Sequence, residues 1–158
     1  MKLHRYAIQV EWTGDDGEGT RSYRGYRRDH TIESAGKPKL LASSDPAFRG
    51  DPTRYNPEEL FVASLSSCHM LWYLHLCSVN KVVVVGYHDA ASGEMEERQD
   101  GSGVFTRVTL RPVVKIADGD PDTARALHEE AHRYCFIANS VKFPVEIEPQ
   151  ITTELAPR

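Results

Sequence analysis

Cysteine is scarce in this 158-residue chain and odd in number, with only Cys68, Cys77 and Cys135. Three thiols do not make a disulfide framework. In a chain without an export signal they read as free thiols that are catalytic, redox-active or simply buried. The opening "MKLHRYAIQVEW" alternates charged and apolar residues and has no hydrophobic core region, so a signal peptide is not expected. No stretch approaches 18 apolar residues free of polar interruption, which argues against a membrane span. Neither charge sign dominates: 19 basic residues against 23 acidic ones leave a formal charge of −4. That balance gives no reason to expect nucleic acid or an anionic membrane as a partner. Repeats, low-complexity segments and linker-like shifts in composition are also lacking. The expectation is one cytoplasmic domain, long enough to bury about two-thirds of the surface of its unfolded chain.

What is present has a clear order. Tyr6, Ile8, Val10 and Trp12 recur with period two, predicting a strand over Leu3–Trp12. "TGDDGEG" at 13–19 reads as a turn, and "TRSYRGYRRDHTIE" resumes the alternation, so residues 3–32 predict an antiparallel hairpin. Residues 1–42 are thus assigned to strands and 43–55 to a Pro/Gly/Asp-rich loop. A long helix follows over 56–80: Asn56 caps it, Pro57 suits its first position and Glu59 completes a capping box. Large apolar residues lie on every side of it, predicting a buried, central helix. Strands fill 81–117, with one long strand over 103–117. A second helix is predicted over 120–140, opened by Asp120 and Pro121, with an apolar stripe through Ala124, Leu127, Ala131, Tyr134, Cys135 and Ala138. A final strand occupies 143–153. Strands and helices segregate rather than alternate, which argues an α+β fold with a mostly antiparallel sheet.

Three clusters carry candidate chemistry. His128-Glu129-x-x-His132 has the spacing at which two histidines share a helix face and grip one Zn²⁺, with the glutamate as general base. A third protein ligand is missing from the local sequence; His69, His75 or Cys135 serve only if the fold brings them near. The alternative is an ordinary solvated helix face. The second cluster is the thiol pair Cys68 and Cys135, each on the predicted buried side of a helix. They can meet only through the fold, and a lone cysteine is otherwise a small core hydrophobe. Cys77, nine residues beyond Cys68, lies half a turn round the helix and reads as core. Glu58 and Glu59 precede Cys68 by about ten residues, roughly 15 Å of helix rise. A carboxylate there can hold an arginine, and Arg27, Arg28, Arg49 and Arg54 are all nearby in sequence. The third is "CHMLWYLH", whose aromatic residues either line an apolar ligand pocket or belong to the core.

At "NPEELFVASLSSCHMLWYLHLC" the sequence resembles the OsmC/Ohr family, the osmotically inducible and organic hydroperoxide resistance proteins, on its OsmC-like branch. In that family Asn-Pro-Glu caps a long central helix and a peroxidatic cysteine follows ten residues after the glutamate; Asn56, Pro57, Glu58 and Cys68 keep this spacing. "CFIANSVKFPVEIE" is similar to the family's second cysteine context, with Phe136 where proline is common, and "AGKPKLLASSDPAFRGD" resembles its loop. The resemblance implies an α+β fold built as an intertwined homodimer, with active sites at the subunit interface. It implies a peroxidase of the oxidative stress response without metal or cofactor. Cys68 attacks a hydroperoxide and becomes a sulfenic acid, Cys135 condenses with it to a disulfide, and an external dithiol resets the pair. Glu58 and an early arginine complete the implied catalytic set, with Arg28 assigned and Arg27 and Arg54 as alternatives. Phe61, Met70 and Trp72 are expected to line the thiol site and to favour bulky organic peroxides. Two readings from other classes stay open: a non-catalytic small-molecule binding protein on the same fold, and a zinc hydrolase using His128, Glu129 and His132.

Overall fold

The computed structural model describes residues 1–154. Two compact units divide the chain, Met1–Leu60 and Phe61–Arg158, and each is described by itself.

The first unit holds a three-stranded antiparallel sheet in the order β1 (Gln9–Trp12), β2 (His30–Glu33), β3 (Leu40–Ala42). Register runs from Gln9 opposite Glu33 to Trp12 opposite His30. The predicted hairpin is therefore present, but its strands are shorter than the alternation suggested. Residues 13–29 carry the pairing on through two backbone bonds, Thr13 N–H to the Asp29 carbonyl at 3.0 Å and Arg27 N–H to the Gly14 carbonyl at 2.9 Å, and then fold on side-chain hydrogen bonds. Asp15 accepts from the N–H groups of Gly17 and Gly19, and Trp12 Nε1 donates to the Arg27 carbonyl at 2.8 Å. A Cβ on Gly14 would lie 1.9 Å from that same carbonyl oxygen, so the loop closes only around a residue without a side chain. Tyr6, Ile8, Val10 and Leu41 remain exposed in the single chain.

The first turn of α1 (Pro57–Val79) closes this unit at Leu60. The capping box forms as the sequence predicts: Glu59 N–H donates to Asn56 Oδ1 at 2.9 Å, and Asn56 N–H donates to Glu59 Oε1 at 3.1 Å. Two N–H groups that the helix itself leaves unpaired are thereby satisfied, with Asn56 buried.

The second unit contains two three-stranded sheets. β4 (Val83–Asp89), β7 (Pro112–Asp118) and β9 (Gln150–Thr153) form one; β5 (Ser92–Glu97), β6 (Gly103–Leu110) and β8 (Val145–Ile147) form the other. In each, an antiparallel pair (β4 with β7, β5 with β6) takes a parallel third strand from the end of the chain. The 103–117 stretch, expected as one strand, breaks at Arg111. Its N–H leaves the ladder for Asp89 Oδ1 at 2.6 Å, and Pro112 has no N–H to offer. Strand β5 has no signature in the sequence because "SGEMEE" is exposed throughout and shows no apolar alternation. The final segment, expected as one strand, is the two short strands β8 and β9.

Helix α2 (Pro121–Tyr134) is shorter than the predicted 120–140. Asp120 caps its start, and Cys135 adopts extended backbone at its end. Asn139 Nδ2 donates to the carbonyls of Arg133 and Cys135, both at 3.0 Å, taking over acceptors that another helical turn would have used. Residues Ala138–Ser140 form a separate 3-10 turn.

Burial on α1 follows one stripe, Leu65, His69, Tyr73, Leu76 and Cys77. Tyr73, Leu76 and Cys77 pack with Val114 and Ile116 of β7 and with Ala124, Leu127 and Ala131 of α2. Leu65 packs with Val108 and Leu110 of β6. By length and composition alone α1 is apolar enough to cross a membrane. Its buried stripe, however, carries the core of the second unit. Leu71 and Val79, off that stripe, stay exposed in the single chain.

Replacing Asn56 by Ala removes half of the capping box. It should cost about 1 kcal/mol and lower Tm by about 2–4 °C, measured by thermal denaturation. Glu59→Ala should move Tm in the same direction.

Candidate functional site

Two of the three thiols come together in the second unit. Cys68 sits on α1, half-buried. Cys135 is the residue that ends α2 and is 1% exposed. Burial pushes the Cys135 thiol up to about 11; the neighbouring Cys68 adds to the rise, while the N–H of Ala138, 3.5 Å from Sγ, works against it. Cys77 is a core residue, and burial raises its thiol too.

The elements around Cys68 are tied by polar contacts that the sequence did not announce. Ser66 Oγ donates to Asp89 Oδ2 at 2.5 Å, while Asp89 Oδ1 takes the Arg111 N–H, so one carboxylate fixes α1 against the ends of β4 and β6. Nothing local signals this pair, because 23 residues separate its members.

His128 is where expectation and structure part. An ordinary solvated helix face does not describe it: the residue is 2% exposed, and its Nδ1 lies 3.0 Å from Nε2 of His69. Its ring stacks on Tyr73 with centroids 3.8 Å apart, and Tyr73 donates its hydroxyl to the Ala124 carbonyl at 2.8 Å. Burial holds His69 down to about 4, helped by His132 and opposed by Asp89; burial and His69 hold His128 at about 3. Both rings are neutral at pH 7. His128, Glu129 and His132 acquire no third ligand, and among the described residues no group of three His, Cys, Asp or Glu side chains is arranged to hold a metal.

Phe61 and Trp72, both expected at the thiol site, belong to different ring clusters. Phe61 meets Phe105 and Phe143 edge-on at 5.0 and 5.7 Å. Trp72 stacks on Tyr134 at 5.0 Å and meets Phe136 edge-on at 5.5 Å, on either side of Cys135 in sequence. Met70 is half-buried.

In the first unit Arg28 donates to the carbonyls of Tyr23 and Tyr26 and lies over both rings, 4.7 and 3.8 Å from their centroids. Arg27 pairs with Asp16 and Asp29. Arg54 lies 3.8 Å from both Asp29 and Asp51, and its Nη1 is buried without a partner. Glu58 likewise keeps Oε2 buried and unpartnered.

The family model for the OsmC-like proteins matches residues 50–150. This chain belongs to that family. An OsmC-like protein of unknown function from Vibrio cholerae is 35% identical, with 93% of this chain and 99% of that one covered and a TM-score of 0.83. The organic hydroperoxide resistance protein-like 2 of Staphylococcus saprophyticus is 26% identical over 133 residues, 77% of this chain and 92% of that protein. An organic hydroperoxide resistance protein from Legionella pneumophila, 17% identical, shares the fold with a TM-score of 0.66 over 96% of this chain and 99% of its own. The OsmC/Ohr resemblance in the sequence and the α+β fold are thereby established.

Two outcomes are expected from the burial pattern. With iodoacetamide at pH 8, Cys68 should alkylate first and Cys135 and Cys77 much later, read by peptide mass spectrometry. The histidines set an acid limit: the unfolded chain binds protons below its ordinary histidine value of about 6.5, whereas folded His69 and His128 do so only near 4 and 3. Stability from this pair is thus complete above pH 6.5 and lost as pH falls through 4 towards 3. Tm should fall over that window, and His69→Phe/His128→Phe should flatten the fall.

Proposed function

We propose that this OsmC-family protein is a thiol peroxidase that reduces organic hydroperoxides. The observation that carries the reading is the unequal thiol pair, with half-buried Cys68 beside buried Cys135, whose proton is held to about 11. A thiolate is the attacking species in such chemistry, and a thiol that keeps its proton does not compete with it. The Cys68 thiolate attacks the distal oxygen of ROOH, the O–O bond breaks, and the alkoxide leaves and is protonated to ROH. Cys68 is then a sulfenic acid, oxidised by two electrons. The Cys135 sulfur attacks Cys68 Sγ; the S–O bond breaks, water leaves with the Cys135 proton, and a Cys68–Cys135 disulfide remains. An external dithiol reduces it, returning both thiols and leaving oxidised as its own disulfide.

Glu58 is proposed to hold the guanidinium that stabilises the thiolate, with Arg28 as its assigned partner. Arg28 is engaged by Tyr23 and Tyr26, whereas Arg54 and Glu58 each retain an unpartnered buried atom. Arg54 is therefore the alternative donor. The working assembly is proposed as a homodimer in the cytoplasm. The exposed Tyr6, Ile8, Val10 and Leu41 in one unit and Leu71 and Val79 in the other support a second copy as partner.

One equivalent of cumene hydroperoxide should remove two thiols and produce a Cys68–Cys135 crosslink, seen by intact mass and peptide mapping. Cys68→Ser should abolish both changes. Three unchanged thiols would sink the mechanism and leave the binding-protein reading. Of Arg28→Met and Arg54→Met, the one that slows the first oxidation at least tenfold identifies the guanidinium.

A further inference from the structure

A groove of about 490 Å³ runs between α2 and the segment from β8 to Pro149, with His128, whose Nδ1 meets His69, in its lining. One wall is apolar, from Val145, Ile147 and Pro149; the other is the polar side of α2, with Arg125, His128, Glu129 and His132. The volume suits a small ligand. None of these residues takes part in the thiol chemistry, and the groove's own chemistry is independent of it.

The histidine pair makes a specific demand on whatever enters. Two neutral imidazoles joined by one hydrogen bond hold two N–H groups and spend one in that bond. The other must lie at an outer nitrogen, His69 Nδ1 or His128 Nε2, and both of these are buried without a partner. A buried N–H left unpaired is costlier and rarer than an unused lone pair. At His69 the donor would be stranded on the buried stripe of α1. At His128 it belongs to a residue that lines the groove, where an oxygen atom that displaces the cover over the ring would satisfy it. Beside it Arg125, exposed on α2, donates Nη1 to the Pro149 carbonyl at 3.0 Å and forms no ion pair within 4 Å among the described residues. Its other guanidinium donors have no hydrogen-bond partner among the described residues. Glu129 supplies the groove's one carboxylate, one turn from Arg125 and exposed, so it can swing away from an incoming anion. His132 adds a further ring whose Nδ1 is buried and unpartnered.

We infer that this groove is a binding site for a small carboxylate with an apolar body: one oxygen accepts from His128 Nε2, the Arg125 guanidinium takes the charge, and the body lies on Val145, Ile147 and Pro149. Binding draws the shared proton arrangement to one tautomer, with His69 Nε2–H donating to His128 Nδ1 and the free N–H at His128 Nε2.

Sodium octanoate is the probe and octanol its uncharged control, followed by calorimetry and by ¹⁵N–¹H spectra of the histidine rings in the intact protein. Octanoate should bind at least tenfold tighter than octanol, shift the His128 ring signals and fix its Nε2–H tautomer. Arg125→Met, an exposed change that leaves the core intact, should raise Kd at least tenfold, and His128→Phe should abolish the ring signature. Equal binding of octanol, an unchanged Kd in Arg125→Met, or shifts confined to residues around Cys68 would overturn the site. So would a dimer in which the groove is already covered by the second copy and octanoate does not bind. Peroxide-driven thiol loss in Arg125→Met should equal that of the unsubstituted protein, which separates this site from the peroxidase reading.

Discussion

The buried stripe of α1 is not wholly apolar, and the second unit is arranged around that fact. His69 and Tyr73 lie on it between Leu65 and Leu76, and their polar atoms are removed from water. A buried ring nitrogen or hydroxyl needs a partner or costs one to several kcal/mol. The Tyr73 hydroxyl finds the Ala124 carbonyl and the His69 ring finds His128, both on α2. Apolar contacts alone would tolerate small slides of one helix on the other. Two directional bonds and a ring stack do not, so α2 is held in one register along α1, and its C-terminal end falls beside Cys68.

The chemistry at that end depends on how α2 stops. Extended backbone at Cys135 turns the chain out of the helix, while Asn139 returns to satisfy the carbonyls of Arg133 and Cys135. The thiol thereby lies under the turn, dry and protonated, while Cys68 on the regular helix keeps partial access to solvent. Two cysteines of equal intrinsic chemistry are made unequal by burial. The inequality of burial arises from the way a helix ends.

Local signals were legible wherever the partners are close in sequence. The capping box was readable from Asn56-Pro57-Glu58-Glu59 because its donors and acceptors are three residues apart. The Asp120 cap was readable for the same reason. Strand β5 was not, since its stability comes from pairing with β6 rather than from an apolar face. The break at Arg111 depended on Asp89, and the end of α2 on Asn139 folding back, neither of which periodicity reveals. The HExxH spacing was correct as a pattern but misleading as chemistry, because the face carrying His128 turns inward against His69.

The sequence by itself determined the family, the two helices with their starting caps, the α+β character and the candidate pair of cysteines. The helices, their caps and the α+β character rest on composition, on period and on contacts between near neighbours; the family and the cysteine pair rest on the resemblance of whole motifs. Only the tertiary structure decided that Cys135 is the drier thiol, that His128 pairs with His69, that Asp89 ties α1 to the strand ends, and that Arg28 is occupied within its own loop. Each of those joins residues far apart in sequence or turns on which side of an element is buried, and no local pattern encodes that choice.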